Sequence, residues 1–308
     1  MTANFGERLL GSALEERIDL RARSRMKVRR SGDVLYLEAE LPGVFRTFFT
    51  TRLGGSSQGR FATLNLDTRS SDDPRVVNHN RSLVMRILEE AGALPGRGET
   101  QTPAGDISEG DTPRYRFVSP AQAHGVRVVG AAEYVRDHPD TPCDGLTLNP
   151  MLDEGLAALL VFADCVPVVL ASEVDMAVVH GGWRGILGGV VQQAGRSMTG
   201  PPAGAVIGPS IGPCCFTVGE EVARGFGARF GTKVVAEPEG ATPEAPAGVF
   251  RVDLWAAVTK ALVEMGVGEG QIVNPRLCTA CNTDLFYSYR REGPVTGRQG
   301  CVAWAVGT

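Results

Sequence analysis

Cysteine and histidine bind borderline and soft metal ions and also pair as nucleophile and base, and this chain sets three of them at strand ends. The run Val161 to Gly185, VFADCVPVVLASEVDMAVVHGGWRG, contains two of the three. Its apolar opening reads as a strand and Glu173 to Asp175 as a tight turn. Met176 to His180 reads as a second strand, ending on a histidine before Gly-Gly-Trp-Arg-Gly. Cys165 and His180 therefore stand at the ends of short strands. The third residue is His124 in SPAQAHGVRVV, set between apolar segments with a glycine directly after it. Period-2 alternation puts Gln122 and His124 on one face of that strand, so both are expected to face one site. The other two of the four histidines are His79, in a helical pattern, and His138, in a charged loop, and both read as solvated.

Taken singly, a cysteine in an apolar run is a small hydrophobe and a histidine a structural side chain. Together, two histidines and a cysteine supply three ligands and leave one position open on a tetrahedral zinc ion, the pattern of catalytic rather than structural zinc. Such an ion can generate hydroxide near neutral pH or orient an oxyanion. Copper is the competing metal for the same donors. A multicopper oxidase is excluded, because its several centres would need more imidazoles than the four histidines present. A Cys-His hydrolase, with Cys165 as nucleophile and His180 or His124 as base, draws on the same residues and stays open at this point. Asp164, directly before the thiol, reads either as a turn residue or as an acid-base partner. A non-catalytic metal-binding protein is the third reading.

The elements that must position these residues alternate strand and helix. VLYLEAEL and VFRTFFT read as paired strands around Pro42-Gly43. A glycine-rich loop, TRLGGSSQGRFATLNL, follows with Arg52 and Asn65, and reads as a candidate anion or substrate loop. Asp73-Pro74 opens a helix that Gly92 closes. Residues 95–114 and 237–248 read as polar loops. Ile186 to Ser197 reads as a helix directly after the glycines that follow His180, so that its free N–H groups would face an anionic substrate. Helices are also expected over Gly219 to Phe230 and after an Asp253 cap, and two last strands in the C-terminal run from Cys278. Neither a repeat nor a linker divides residues 33–308, and a single α+β domain with strands in at least two layers is expected. Residues 1–32, with Arg21, Arg23, Arg25, Lys27, Arg29 and Arg30 crowded together, read as a basic, flexible extension.

Composition narrows the class. The 39 glycines and 19 prolines suit a strand-rich fold with many turns, and a 43% hydrophobic content is ample for a core. A formal net charge of -4 speaks against a general nucleic-acid or membrane-surface binder. Without a long apolar run or a signal-like N-terminus, a cytoplasmic protein acting on small molecules is expected. The seven unevenly spaced cysteines suit reduced thiols. Cys278-x-x-Cys281 has no second CxxC to complete a metal site and reads as two unrelated thiols, as does Cys214-Cys215.

Ordered along the chain, the motifs TRLGGSS with TLNL, DDPRVVNHNR, QAHGVRV, CDGL, ADCVPVVL, HGGWRG, IGPSIGPCCFTVGEEV, VDLW and YSYRR with TGR are specific as a set. From Phe48 to Ala305 the chain resembles the laccase-domain (YfiH-like) proteins, once called polyphenol oxidases and now regarded as purine nucleoside phosphorylases with adenosine deaminase activity. The resemblance implies a mixed α/β/β/α fold. It implies metal ligands at His124, Cys165 and His180, zinc as the metal, and Arg52 and Asn65 in the substrate pocket. It further implies phosphorolysis of adenosine, inosine, guanosine and methylthioadenosine, with hydrolytic deamination of adenosine beside it. A monomer is expected. Gly181 stands where the family more commonly has alanine.

Overall fold

The computed structural model describes residues 11–20, 22–92, 114–236 and 248–306. Apart from Arg114 and Gly248, the two polar loops expected at 95–114 and 237–248 lie outside the described residues. In chain order the helix α1 (11–17) precedes β1 (Met26–Ser31), β2 (Val34–Glu40) and β3 (Phe45–Thr50). After these come α2 (Pro74–Gly92), β4 (Arg116–Val118), β5 (Val128–Gly130), α3 (Ala131–Asp137), β6 (Gly145–Leu148) and β7 (Leu156–Phe162). The hairpin β8 (Val166–Ala171) and β9 (Met176–Gly181) leads into α4 (Trp183–Gly188), α5 (Val190–Ser197) and β10 (Gly204–Ile207). The remainder is β11 (Thr217–Gly219), α6 (Glu220–Phe230), β12 (Val235–Ala236), β13 (Val249–Val252), α7 (Leu254–Glu264), β14 (Ile272–Val273), α8 (Tyr289–Glu292) and β15 (Gln299–Ala305).

Two mixed six-stranded sheets carry the fold, ordered β1-β2-β3-β15-β7-β4 and β14-β10-β8-β9-β6-β5, with a small sheet β11-β13-β12 beside them. Strand alternation decides the layers. Along β7, Ala158, Leu160 and Phe162 face the second sheet and pack with its Leu146, Val169, Val178 and Val206. The alternate residues Leu159 and Val161 turn outward, where Val84, Ile87 and Leu88 of α2 cover them with Trp304. On the outer face of the second sheet, Val168, Leu170, Ala177 and Val179 meet Val190 and Ala194 of α5 and Leu254 and Val258 of α7. Buried on both faces, these strands are continuous apolar runs, and the layers are α/β/β/α as the family resemblance implied.

Four expectations are corrected. Residues 11–20 and 22–31 are no loose extension, and a boundary at residue 33 falls inside the β1-β2 hairpin. Leu14, Ile18, Ala22 and Met26 are at most 3% exposed and belong to the inter-sheet core, and β1 pairs antiparallel with β2 as an edge strand. The basic residues Lys27, Arg29 and Arg30 lie on its exposed positions, where charge guards an open edge. The four-residue spacing of Leu14, Ile18, Ala22 and Met26 was the apolar signal, hidden among charges. Secondly, the segment holding Gln122 and His124 is irregular between β4 and β5, and His124 has φ 59°, so strand alternation does not apply to it. Thirdly, the helix after His180 begins at Trp183 and breaks at Gly189, whose φ of 93° is a left-handed cap that separates α4 from α5. Lastly, the C-terminal run forms one strand, β15, because residues 278–298 are tied up in turns and α8.

Candidate active site and metal centre

One end of the second sheet builds the site. Cys165 immediately precedes β8, whose Val166 pairs with Gly181 and Pro167 with His180 in antiparallel register, so the entry to β8 lies against the exit of β9. β6 runs antiparallel to β9 and parallel to β5, which brings the residues just before β6 and β5 to the same edge. Asp144 and the loop of His124 arrive there. The ligand atoms of His124, Cys165 and His180 lie within 4.8 Å of one another. The two imidazoles meet edge to face at 4.7 Å between centroids. Gly182 is required for this approach, since a Cβ there would stand 2.7 Å from His124 Cδ2.

Asp144 organises the trio. His180 Nδ1 is 2.8 Å from Asp144 Oδ1. The backbone N–H of His124 donates to the same oxygen at 2.8 Å, and that of Gly125 to Oδ2 at 2.7 Å. Burial opposes ionisation of this carboxyl, yet the bonds from His180, Gly125 and His124 outweigh it and hold it below the usual carboxylate range. An ionised carboxylate only accepts, so His180 Nδ1 carries a proton toward Asp144, and Nε2 is the nitrogen left to serve a ligand role once its own proton is displaced. Burial likewise opposes ionisation of Cys165, but the His180 and His124 imidazoles bring its thiol down to about 6. Burial disfavours the charged His180, and Cys165 with Asp144 overrides this and raises it to about 9. The donor set fits a borderline ion. Three N and S atoms converge, one histidine is locked by a carboxylate, and the cysteine is poised as thiolate.

The trio lines a cavity of about 550 Å³. Apolar and aromatic side chains, among them Trp183, Ile211, Phe216 and Tyr289, form one part of its wall. Arg69, Arg184, Arg290 and Arg298 line it with them, Arg184 lying over the Trp183 ring at 4.3 Å and Arg290 over that of Phe216 at 5.4 Å. Arg298 Nη1 is anchored on the carbonyls of Thr296 and Gly297, and Arg69 Nη2 on that of Ser119, which leaves guanidinium donors over for an anion. This mixed lining suits a ligand that combines a flat apolar ring with an anionic group.

Arg52 and Asn65, expected in the substrate pocket, do not line this cavity. Arg52 donates to the carbonyls of Ala62 and Thr283 and to Glu292 Oε1, the last at 2.8 Å, and stacks on Tyr287. Asn65 is fully buried. It accepts from the backbone N–H groups of Asp67 and Arg298 and donates to Ser70 and Asp72. Both are scaffold residues, and Asn65 acts through its neighbours by holding the backbone of two cavity residues. Their glycine-rich loop is clamped from α2 by Asn80, which accepts from Ser56 N–H and donates to Ser57 Oγ. Asp164 is also structural in its side chain, accepting from Thr279 Oγ1 and the Arg290 N–H at 2.6 and 2.7 Å. His79 is exposed, as expected, and His138 stands beside Glu133 near the surface. Asp144 and the cavity arginines were not assigned from sequence. The only hint at Asp144 was its place in the CDGL motif.

Fold and site together define an α/β/β/α protein with a candidate His₂Cys centre in a cavity that four arginines also line. Residues 46–94 and 107–306 match the family model described as multi-copper polyphenol oxidoreductase laccase. The chain belongs to that laccase-domain family, and several of its curated relatives are named purine nucleoside phosphorylases. It is 31% identical over 268 residues to purine nucleoside phosphorylase YlmD of Geobacillus stearothermophilus, covering 81% of this chain and 86% of the relative. It is 33% identical over 194 residues, 59% of this chain and 72% of the relative, to adenosine deaminase RL5 of an unknown prokaryotic organism. Among solved structures, protein NMB0706 of Neisseria meningitidis superposes with a TM-score of 0.71 at 29% identity, over 88% of this chain and 99% of that one. No helix among the described residues is long and apolar enough to cross a membrane.

Proposed function

We propose that this chain is a zinc-dependent purine nucleoside phosphorylase. It converts adenosine, inosine, guanosine or methylthioadenosine and inorganic phosphate to the free base and ribose 1-phosphate, or its methylthio counterpart. Hydrolytic deamination of adenosine to inosine is a second activity of the same cavity. The observation that carries the reading is the convergence of His124, Cys165 and His180 in the lining of a cavity that also offers apolar side chains and arginines. The homology to phosphorylases and to a deaminase supports the same substrates.

In this reading His124, Cys165 and His180 hold the zinc, and Asp144 fixes the His180 tautomer so that Nε2 remains a ligand. When bound, the ion supplies a Lewis acid for phosphate or water. Trp183, Phe216 and Tyr289 offer faces for the purine. Arg69, Arg184, Arg290 and Arg298 bind and orient phosphate toward the anomeric carbon, where the new C–O bond forms as the glycosidic C–N bond breaks and the base nitrogen takes up a proton. Deamination needs water but no phosphate, so it depends on the trio more than on the arginines. The test is an inosine-plus-phosphate assay run with elemental analysis. The expected result is one zinc in the trio, turnover stopped by chelation and restored by zinc, and loss of activity in Cys165→Ala, His124→Ala and His180→Ala. Activity that survives chelation but not Cys165→Ala would instead mark a thiol hydrolase. Restoration by copper rather than zinc would change the metal.

A further inference from the structure

We propose that Cys214, Cys215, Cys278 and Cys281 bind one zinc ion through four thiolates, as a structural site with its own ligands apart from the His₂Cys centre. The sequence offered one CxxC and an adjacent pair 63 residues away by the numbering, which read as unrelated thiols. The fold brings all four sulfurs within 4.8 Å of one another. Cys281 Sγ is 3.5 Å from Cys214 Sγ and 3.4 Å from Cys215 Sγ. A tetrahedral ion with Zn–S bonds of about 2.3 Å requires sulfur-sulfur edges of about 3.8 Å, close to these separations. Clusters of several irons spread their cysteines farther apart, so the spacing selects a mononuclear ion.

The surroundings suit thiolates. The Gly212 N–H donates to Cys278 Sγ at 3.3 Å, and Arg291 Nη2 approaches Cys215 Sγ at 3.7 Å, placing a positive charge beside a site that four thiolates make anionic. Both cysteine pairs are carried on tight turns. Cys215 and Phe216 N–H donate to the Gly212 carbonyl, and Cys281 and Asn282 N–H to that of Cys278. A backbone bridge between Ser210 and Cys278 holds the two turns side by side. Cys278 is buried, while Cys214 and Cys281 are exposed and leave a route for the ion to enter. Cys281 touches two sulfurs equally, which suits a shared centre better than one disulfide. Four protein ligands fill a tetrahedron, so the site is closed and structural.

Its place in the fold gives it an effect on the cavity. Arg290 Nη1 donates to the carbonyls of Cys215 and Thr217, and Phe216 and Arg290 both line the cavity. An ion joining the turns of Cys214 and Cys278 staples this wall in place.

Metal content and cobalt(II) spectra test the proposal in protein purified under reductant. The wild type is expected to hold two zinc ions per chain and Cys281→Ser one. The double variant His124→Ala/Cys165→Ala is expected to keep one. Loaded with cobalt(II), that double variant should show the intense sulfur-to-cobalt charge transfer and strong d–d bands of a tetrahedral tetrathiolate, and lose them when Cys214→Ser is added. Because this spectrum reads the four thiolates directly, it decides the matter even if Cys281→Ser fails to fold. One zinc in the wild type and none in the double variant would overturn the proposal. So would a Cys281 disulfide to Cys214 or Cys215 in protein that carries no second zinc. Loss of phosphorolysis in the double variant leaves the outcome unaffected.

Discussion

Asp144 grips both histidines of the metal centre through one carboxylate oxygen, accepting from His180 Nδ1 and from the His124 backbone N–H at 2.8 Å each. Asp144→Asn keeps the shape, but an amide cannot accept at both oxygens' positions and carries no charge to set the tautomer. Zinc affinity is expected to fall about 10–100-fold, with a matching loss of activity at limiting metal. Competition titration against a chromophoric chelator measures it, and an unchanged affinity would contradict the organising role of Asp144.

Proton release on metal binding has a definite sign. With Cys165 lowered to about 6 and His180 raised to about 9, at pH 7.5 the metal-free protein holds a thiolate and an imidazolium. Zinc must displace the His180 proton, so about one proton is released, and affinity rises roughly tenfold per pH unit between pH 6 and 9. Calorimetric titration in two buffers of different ionisation enthalpy counts the proton. A buffer-independent heat would mean that His180 is already neutral.

Gly182→Ala places a methyl group 2.7 Å from His124 Cδ2 in the closed geometry. The imidazole must move, so metal affinity is expected to drop while the overpacking costs about 1–3 kcal/mol of stability. Zinc titration and a denaturant melt of the same variant separate the two effects.

Arg69→Ala and Arg298→Ala each remove a charged donor from the cavity wall. A charge-assisted hydrogen bond is worth about 1.5–3 kcal/mol, so the KM for phosphate is expected to rise about 10–100-fold. Adenosine deamination, which uses no phosphate, should change far less. Equal losses in both reactions would argue against a phosphate subsite at these arginines.

Arg52→Ala removes the ion pair with Glu292 and the bonds to the Ala62 and Thr283 carbonyls. As a scaffold change it is expected to cost about 1–3 kcal/mol in urea unfolding, with the KM for nucleoside little changed in the fraction that stays folded. A large rise in that KM with stability intact would return Arg52 to the substrate pocket.

The sequence by itself determined a strand-rich α+β class in at least two layers and singled out the trio as candidate ligands. Short apolar runs such as LAALLVF and MAVVHG suit strands buried on both faces, which need covering helices, and the residue types of His124, Cys165 and His180 at strand ends mark them as candidate ligands. Tertiary structure decided what depends on partners distant in the chain. Asp144 has no role that its neighbours in sequence reveal until β6 lies against β9 and delivers it to His180. Arg52 and Asn65 looked ligand-facing because free polar side chains and scaffold ones are identical in sequence; only the positions of Glu292 and Arg298 settle them. Cys214, Cys215, Cys278 and Cys281 form a cluster only where β10 and the turn after β14 are side by side. Local patterning sets which face an element buries, whereas pairing across the sheets sets which side chains meet.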